Sequence, residues 1–173
     1  STVGRCSVER AAVCSVVPAL TRAWVAAVGK VTKGDVLQVS PDADLGVPLR
    51  RYPRPRTLGA DRLANLAALA ARKHFPAMVI DFGTATVFDV INSKGEFIGG
   101  IIAPGLPMMT EYLAQRTAQL PHMEAGLPVG DIGRSTRGAM QIGATVGYRG
   151  LVREILAHLE MIPEAFHAYV CAT

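Results

Sequence analysis

Apolar runs and helical periodicities alternate along the first part of the chain. Residues 11–17 and 35–39 are typical of strands, and Pro18 opens a helix between them that carries Leu20 and Trp24 at helical spacing. The first run is apolar on both faces, as the strands of a buried parallel sheet require. The order strand, helix, strand therefore predicts an α/β unit.

A stretch rich in alanine and leucine predicts the strongest helix, which begins at Gly59–Arg62 and runs to His74. Asp61 lies in its first turn and the basic residues 72–74 fill its last turn, so both ends match the helix dipole. The loop before it, residues 40–58, holds four prolines and four arginines. A loop of this length inside a compact chain is usually functional or flexible.

A β-hairpin is predicted at the centre of the chain. Residues 77–82 form a strand, and the turn that begins at Asp81 leads into a partner strand at 85–92. The remaining predicted elements are a third strand near 96–103, helices over 104–116 and 135–160, and a buried strand at 168–173.

Small residues at two places predict close backbone contacts. Gly99 and Gly100 lie within a strand, which suggests that another backbone approaches them. Ala139, Gly143 and Gly147 repeat at four-residue spacing along the long helix and form a flat face. Because glycine costs helix stability, we expect tight packing on this face, either within the chain or against a second copy.

The composition predicts one folded domain or two small ones. Half of the 173 residues are hydrophobic and 18% are charged, with a mean hydropathy of +0.27, so long disordered stretches are not expected. The net charge is +4, and the basic residues are scattered apart from the arginines of the 40–58 loop. This pattern argues against a nucleic-acid partner and favours a small anionic substrate or a nucleotide.

Cys6, Cys14 and Cys171 have no metal-ligand spacing and predict reduced, mostly buried thiols of a cytoplasmic protein. The four histidines are dispersed, so no zinc-type cluster is expected. The sequence contains no signal-peptide pattern and no apolar run long enough to cross a bilayer, so no membrane partner is expected.

The string that begins at Asp81 is the first candidate for chemistry. Asp81, Gly83 and Thr84 are ordinary turn residues, and a tight β-turn is one interpretation. The other is a binding site, in which the carboxylate holds a cation while backbone N–H and hydroxyl groups bind phosphate. The string alone leaves both open.

Two helix starts carry the other candidates. Asp61 beside Arg62 is either a general base next to an anion clamp or a carboxylate that stabilises the helix dipole. Ser135 and Thr136 precede the long helix, where such residues are most often N-caps, although a helix start is also a site for anions or polar ligands.

Six motifs in order resemble those of the type III pantothenate kinases over nearly the whole chain. The family patterns are SSVVP, GADR(I/L)AN, DFGTAT, GG-x-I-x-PG, RTA-x-LP and (N/S)T-xx-AM-x-xG. The matching segments are Ser15–Pro18, Gly59–Asn65, Asp81–Thr86, Gly99–Gly105, Arg116–Pro121 and Ser135–Gly143. Cys14 stands where the family has the first serine of SSVVP, and Val87 stands where it often has a second threonine.

The resemblance implies an α/β fold of two ribonuclease-H-like domains, as in acetate kinases, sugar kinases, heat-shock chaperones and actin. The domains are expected at residues 1–75 and 76–173 and to be incomplete at both ends. The implied activity is the ATP-dependent phosphorylation of pantothenate to 4'-phosphopantothenate, the first step of coenzyme A biosynthesis, in a cytoplasmic homodimer.

The resemblance also implies roles for individual residues, with ATP bound together with Mg²⁺. Asp61 is the general base. The pantothenate site is lined by Tyr52, Gly59, Ala60, Asp61, Arg62 and Thr136. Thr84 contacts the ATP phosphates, and Asp81 holds a monovalent cation, K⁺ or NH₄⁺.

Two segments of the family pattern are missing from the sequence: an N-terminal DxGNT-type turn and a C-terminal TGG-type turn, both of which hold the nucleotide. No DxGNT-like string precedes Cys14, and Thr173 stands where the threonine of the second turn is expected. We therefore expect a fragment of a longer enzyme, or a degenerate relative. For these 173 residues alone we expect weak or no ATP binding and no kinase activity.

Two other functions remain open at this point: a non-catalytic accessory regulator of transcription and a remnant that only dimerises. The mild basicity and the lack of a DNA-reading motif count against the regulator. The chain retains the implied base, cation and substrate residues together, which counts against the remnant. These residues are Asp61, Arg62, Asp81, Thr84 and Thr136.

Overall fold

The computed structural model of the protein describes residues 7–123, 126 and 130–173. These residues form two compact units. The first comprises the described residues as far as His74 together with Gly95–Ile98, and the second comprises Phe75–Lys94 and the described residues from Gly99 onward. Both units combine helices with strands, which confirms the α/β class.

The first unit begins with the predicted strand, helix and strand. These are β1 (Ala11–Val13), α1 (Pro18–Gly29) and β2 (Val36–Gln38), and the two strands pair in parallel. The expected burial on both faces of β1 is wrong, because Val13 is its only buried residue. α1 has no buried residue and Trp24 is 57% exposed. A two-stranded sheet covers little apolar surface, so the described residues leave these faces open.

A short 3-10 turn, η1 (Pro55–Thr57), ends the long loop, and α2 (Ala60–Ala71) follows with Gly59 as its N-cap. α2 buries one face almost completely. The buried positions recur at the three- to four-residue spacing of an amphipathic helix. They are Ala60, Leu63, Leu66, Leu69 and Ala70.

α2 ends three residues earlier than predicted. Arg72 is its C-cap, and Lys73 has φ = 56°, in the left-handed region where a helix cannot continue. The prediction that residues 72–74 fill the last turn is therefore wrong, since these basic side chains follow the helix.

The second unit is built on a four-stranded sheet with the order β5-β4-β3-β6. The central hairpin is confirmed: β3 and β4 are antiparallel, with Phe82 opposite Thr86. β6 pairs with β3 in parallel at the edge of the sheet, so it is largely exposed rather than buried as predicted. The strands are β3 (Ala77–Phe82), β4 (Ala85–Ile91), β5 (Phe97–Pro104) and β6 (Tyr169–Ala172).

Two helices complete the second unit, α3 (Leu106–Arg116) and α4 (Thr136–Glu160). Ser135 is the N-cap of α4, and its hydroxyl accepts the N–H of Gly138 at 3.1 Å. None of the described helices is long and apolar enough to span a membrane.

The glycines of the small-residue face on α4 make no tight contact with the described residues, so packing against a second copy stays a prediction. A Cβ placed on Gly143 or Gly147 would have no described heavy atom within 4 Å. Both glycines instead line an open apolar groove of about 580 Å³ between α3 and α4, together with Met108, Tyr112 and Leu151.

The close backbone approach predicted at Gly99 is not observed there among the described residues. Its φ is +136° and a Cβ there would meet open space, so backbone conformation rather than close approach requires glycine.

The core of the hairpin predicts a large loss of stability on truncation. Phe88 in β4 is 0% exposed, and we expect Phe88→Ala to lower the free energy of unfolding by about 3–5 kcal/mol because it leaves a cavity. Urea unfolding measures this loss, with Val87→Ala on the half-buried neighbour as the control. Equal losses in the two variants would contradict the assigned strand faces.

Candidate functional site

A cavity of about 580 Å³ in the first unit opens at the carboxyl ends of β1 and β2. Crevices at the carboxyl ends of parallel strands are common ligand sites in α/β proteins. Residues with hydroxyl groups, two arginines and the start of α2 contribute to its walls. They are Ser15, Thr21, Ser40, Arg22, Arg56, Gly59 and Ala60.

Asp61 is exposed in the first turn of α2, next to this cavity wall. Its carboxylate oxygen Oδ1 accepts the backbone N–H of Arg62 at 2.8 Å. A Cβ on Gly59 would lie 2.3 Å from the same oxygen. Glycine at 59 therefore leaves the room that this carboxylate conformation needs.

Arg62 and Tyr52 both contact a third residue, Phe97, which is 0% exposed. The guanidinium carbon of Arg62 lies 5.9 Å from the centroid of the Phe97 ring, and the Tyr52 ring centroid lies 5.2 Å from it. A cation–π contact of this kind contributes about 0.5–2 kcal/mol. Phe97 thus brings together two predicted substrate residues, and the sequence analysis did not single it out.

The arginines of the long loop are used in part for structure. Arg50 donates to the carboxylate of Glu96, which is buried, and the backbone N–H of Phe97 donates to the carbonyl of Pro48 at 3.1 Å. These contacts fasten the loop to the segment that carries Phe97, which in turn supports Tyr52.

Cys14 follows β1 and lies near the charge of Asp61. Partial burial raises the pKa of the Cys14 thiol above its ordinary value, and the negative charge of Asp61 raises it further. The residue as a whole is exposed and Cys171 is half-buried, so the prediction of mostly buried thiols is wrong for Cys14. Both are free thiols, and Cys6 lies outside the described residues.

In the second unit, the turn after β3 folds the Asp81 side chain back over Gly83. A Cβ on Gly83 would lie 3.9 Å from Asp81 Oδ1, and the Gly83 N–H donates to the Ala85 carbonyl at 3.1 Å. Thr84 is exposed at the tip. The Asp81 carboxylate and the Thr84 hydroxyl therefore lie at the same turn.

Gly105, the N-cap of α3, brings its backbone close to this turn. Its N–H donates to the Thr84 carbonyl at 2.9 Å. A Cβ at this position would lie 2.1 Å from the Gly83 carbonyl oxygen and 2.5 Å from that of Thr84. The helix predicted over 104–116 begins at Leu106, because Pro104 still belongs to β5 and Gly105 is the N-cap. The close approach anticipated at Gly99 occurs at Gly105 instead.

Thr136 is exposed as the first residue of α4, and the capping role belongs to Ser135. A cavity of about 560 Å³ beside it is lined by Arg134, Ser135 and Arg137 rather than by Thr136 itself. A Cβ on Gly133 would lie 2.2 Å from the backbone nitrogen of Ala139, so this loop packs tightly against the helix start.

The predicted residues therefore divide between the units. Tyr52, Gly59, Ala60, Asp61 and Arg62 lie together in the first. Asp81 and Thr84 share one turn in the second unit, and Thr136 begins a helix of the same unit.

No group of three or more His, Cys, Asp or Glu side chains that could hold a metal occurs within the described part of the chain. The single carboxylate of Asp81 fits a cation whose other ligands are water, backbone or phosphate oxygens. It does not fit a cation that needs several carboxylates.

The family model of the type III pantothenate kinases matches residues 2–158. The chain belongs to this family. Type III pantothenate kinases of known sequence are similar to it: the protein of Methylacidiphilum infernorum is 50% identical over 127 residues, covering 73% of this chain and 46% of that protein. The protein of Akkermansia muciniphila is 47% identical over 156 residues, covering 88% and 61%. The chain spans about half the length of the curated relatives it matches.

A solved structure shows a similar fold. It is described as a Baf family transcriptional activator from Campylobacter jejuni, and it superposes with a TM-score of 0.56 over 88% of this chain and 66% of its own. At 18% identity the likeness extends to the fold alone.

The closeness of Cys14 to Asp61 predicts how the thiol reacts. Asp61→Asn removes the negative charge that raises the Cys14 pKa, so alkylation of Cys14 by iodoacetamide at pH 8 should become a few-fold faster. The pH midpoint of the reaction should move downward. Mass spectrometry of the Cys14 peptide measures both, with Cys171 as the internal control. An unchanged rate and midpoint would contradict the proximity.

Proposed function

We propose that the complete protein phosphorylates pantothenate with ATP to give 4'-phosphopantothenate, the first step of coenzyme A biosynthesis. Family membership and the names of relatives at 40–50% identity support this activity. The observation that carries the proposal is the Asp61 carboxylate, exposed at the helix start beside a cavity and given room by Gly59.

Asp61 is the general base of the proposed reaction. Its carboxylate accepts the proton of the primary hydroxyl of pantothenate, and the hydroxyl oxygen attacks the γ-phosphorus of ATP. The bond from the γ-phosphorus to the β–γ bridging oxygen breaks, and ADP leaves. Phosphoryl transfer requires positioning and charge neutralisation more than covalent help from the protein, so one base and a set of binding groups are sufficient.

Pantothenate binding is proposed for the group around Asp61. Gly59 and Ala60 contribute to the cavity wall, and Tyr52 and Arg62 are held on the Phe97 ring. Arg62 offers a charge for the substrate carboxylate, since guanidinium groups pair well with carboxylates. Thr136, exposed at the start of α4, is proposed as a further hydrogen-bonding group for pantothenate.

The nucleotide phosphates are proposed to bind at the turn of the second unit. The hydroxyl of Thr84 and the backbone N–H groups of the turn suit phosphate oxygens. The Asp81 carboxylate is proposed to hold a monovalent cation, K⁺ or NH₄⁺. Mg²⁺ bound with ATP would neutralise phosphate charge, as it does in kinases generally.

The proposal also covers architecture, assembly and location. We propose that the units are ribonuclease-H-like. The sheet supports this, because β3, β4 and β5 follow one another along the chain and β6 pairs in parallel with β3.

We propose a homodimer, supported by the open apolar groove between α3 and α4. A cytoplasmic location accords with a step of coenzyme A biosynthesis and with the free thiols of Cys14 and Cys171.

The proposed base makes a sharp prediction for the complete gene product. Asp61→Asn keeps the shape of the side chain but cannot accept the proton, so kcat should fall roughly a hundredfold to ten-thousandfold. The dissociation constant for pantothenate, measured by calorimetry, should change little.

Asp35→Asn is the matched control, because Asp35 is an exposed aspartate of the same unit outside the proposed site. It should retain the wild-type rate. An undiminished kcat in Asp61→Asn, measured by mass spectrometry of 4'-phosphopantothenate, would refute the base assignment. Absence of product with the wild type would refute the proposed activity.

A further inference from the structure

We propose that Tyr148 of α4 is a positioning residue for the Asp81–Thr84 turn, acting through its hydroxyl on Thr86. The inference rests on the proposed function for what the turn binds, namely phosphate and a monovalent cation. Its structural part, that Tyr148 fixes the turn, stands on contacts within the second unit.

The first contact is a hydrogen bond between two side-chain hydroxyls. Tyr148 Oη and Thr86 Oγ1 are 2.6 Å apart. Thr86 is 0% exposed, so its hydroxyl has to find a partner inside the protein, because a buried polar group without one is costly. Tyr148 reaches in from the neighbouring helix to supply that partner.

The second contact is with the opposite strand of the hairpin. The rings of Tyr148 and Phe82 lie edge to face, with centroids 6.4 Å apart and an interplanar angle of 69°. Phe82 and Thr86 are directly opposite each other in the ladder of β3 and β4. One side chain therefore touches both strand residues that flank the turn.

Tyr148 therefore contacts the residue next in sequence to Asp81, the proposed cation ligand. Asp81 immediately precedes Phe82, and Thr84 lies between Phe82 and Thr86. A shift of either strand end would move the carboxylate and hydroxyl relative to each other. α4 also begins at Thr136, about 18 Å away along the helix at 1.5 Å per residue, so the same rigid element carries a proposed substrate residue.

The test compares Tyr148→Phe with wild type in the complete gene product. The variant keeps the ring against Phe82 and loses only the hydroxyl. We expect the KM for ATP and the K⁺ concentration for half-maximal rate each to rise roughly three- to tenfold, the range of one lost hydrogen bond. The KM for pantothenate should stay the same.

Thr86→Val removes the other partner and should give the same effects. If the two hydroxyls act as one unit, the double variant should be no worse than the more affected single variant. Tyr169→Phe is the matched control, because Tyr169 is 43% exposed on β6 opposite Ala77, at the other end of β3 from the turn, and it should leave all three constants unchanged.

Amide hydrogen exchange gives a readout that does not depend on activity. The N–H groups of Gly83 and Ala85 should exchange faster in Tyr148→Phe, and not in Tyr169→Phe. If wild type makes no 4'-phosphopantothenate, the proposed function fails, and exchange alone then decides whether Tyr148 fixes the turn.

Two results would overturn the inference while leaving the kinase activity intact. One is an unchanged KM for ATP, unchanged K⁺ dependence and unchanged exchange in Tyr148→Phe. The other is a lower melting temperature with equal effects on both substrates, which would mean that Tyr148 serves only the stability of the fold.

Discussion

The site of the second unit depends on the contact between Gly105 and the turn after β3. The Gly105 N–H donates to the Thr84 carbonyl at 2.9 Å, and a side chain at Gly105 would overlap both carbonyl oxygens of the turn. The start of α3 is therefore pressed against the residues that present Asp81 and Thr84. Any larger residue at 105 has to push the turn and the helix apart, and the presented carboxylate and hydroxyl would move with them.

A similar constraint operates at the proposed base in the first unit. Gly59 leaves space for the Asp61 carboxylate, whose oxygen would lie 2.3 Å from a Cβ at that position. The Phe97 ring contacts both Arg62 and Tyr52, and the Arg50–Glu96 pair fastens the loop beside it. In both units, a glycine lies close to residues of the proposed site: Gly59 beside the end of the Asp61 side chain, and Gly105 against the backbone of the turn that follows Asp81.

The local parts of this architecture could be predicted from the sequence. The hairpin at β3 and β4 and the helix α2 follow from short-range patterns, because apolar runs, turn residues and helix propensity act within a few positions. The motif residues Asp61, Asp81 and Thr84 stood out because each lies at the end or start of such an element. Family membership then confirmed the resemblance that their order suggested.

The parts that escaped prediction depend on contacts distant in sequence. The burial of β1, α1 and β6 is set by how many neighbours the sheet supplies, which a pattern of apolar residues does not reveal. Phe97 and Tyr148 lie far along the chain from the residues they support, and Tyr148 appears in the sequence as one more residue of a long helix. The sequence does not distinguish the roles of Gly99 and Gly105. Gly99 is required by its positive φ, and Gly105 is required by the close approach of the turn's backbone.

The most direct measurement is the rate of ATP-dependent 4'-phosphopantothenate formation by the complete gene product, wild type against Gly105→Ala. We predict product from the wild type and a kcat/KM for ATP lower by roughly a hundredfold in the variant, because its turn is displaced. Gly150→Ala, where a Cβ would meet open space, should match the wild type. Absence of product from the wild type, or equal kcat/KM values for wild type and Gly105→Ala, would contradict the account.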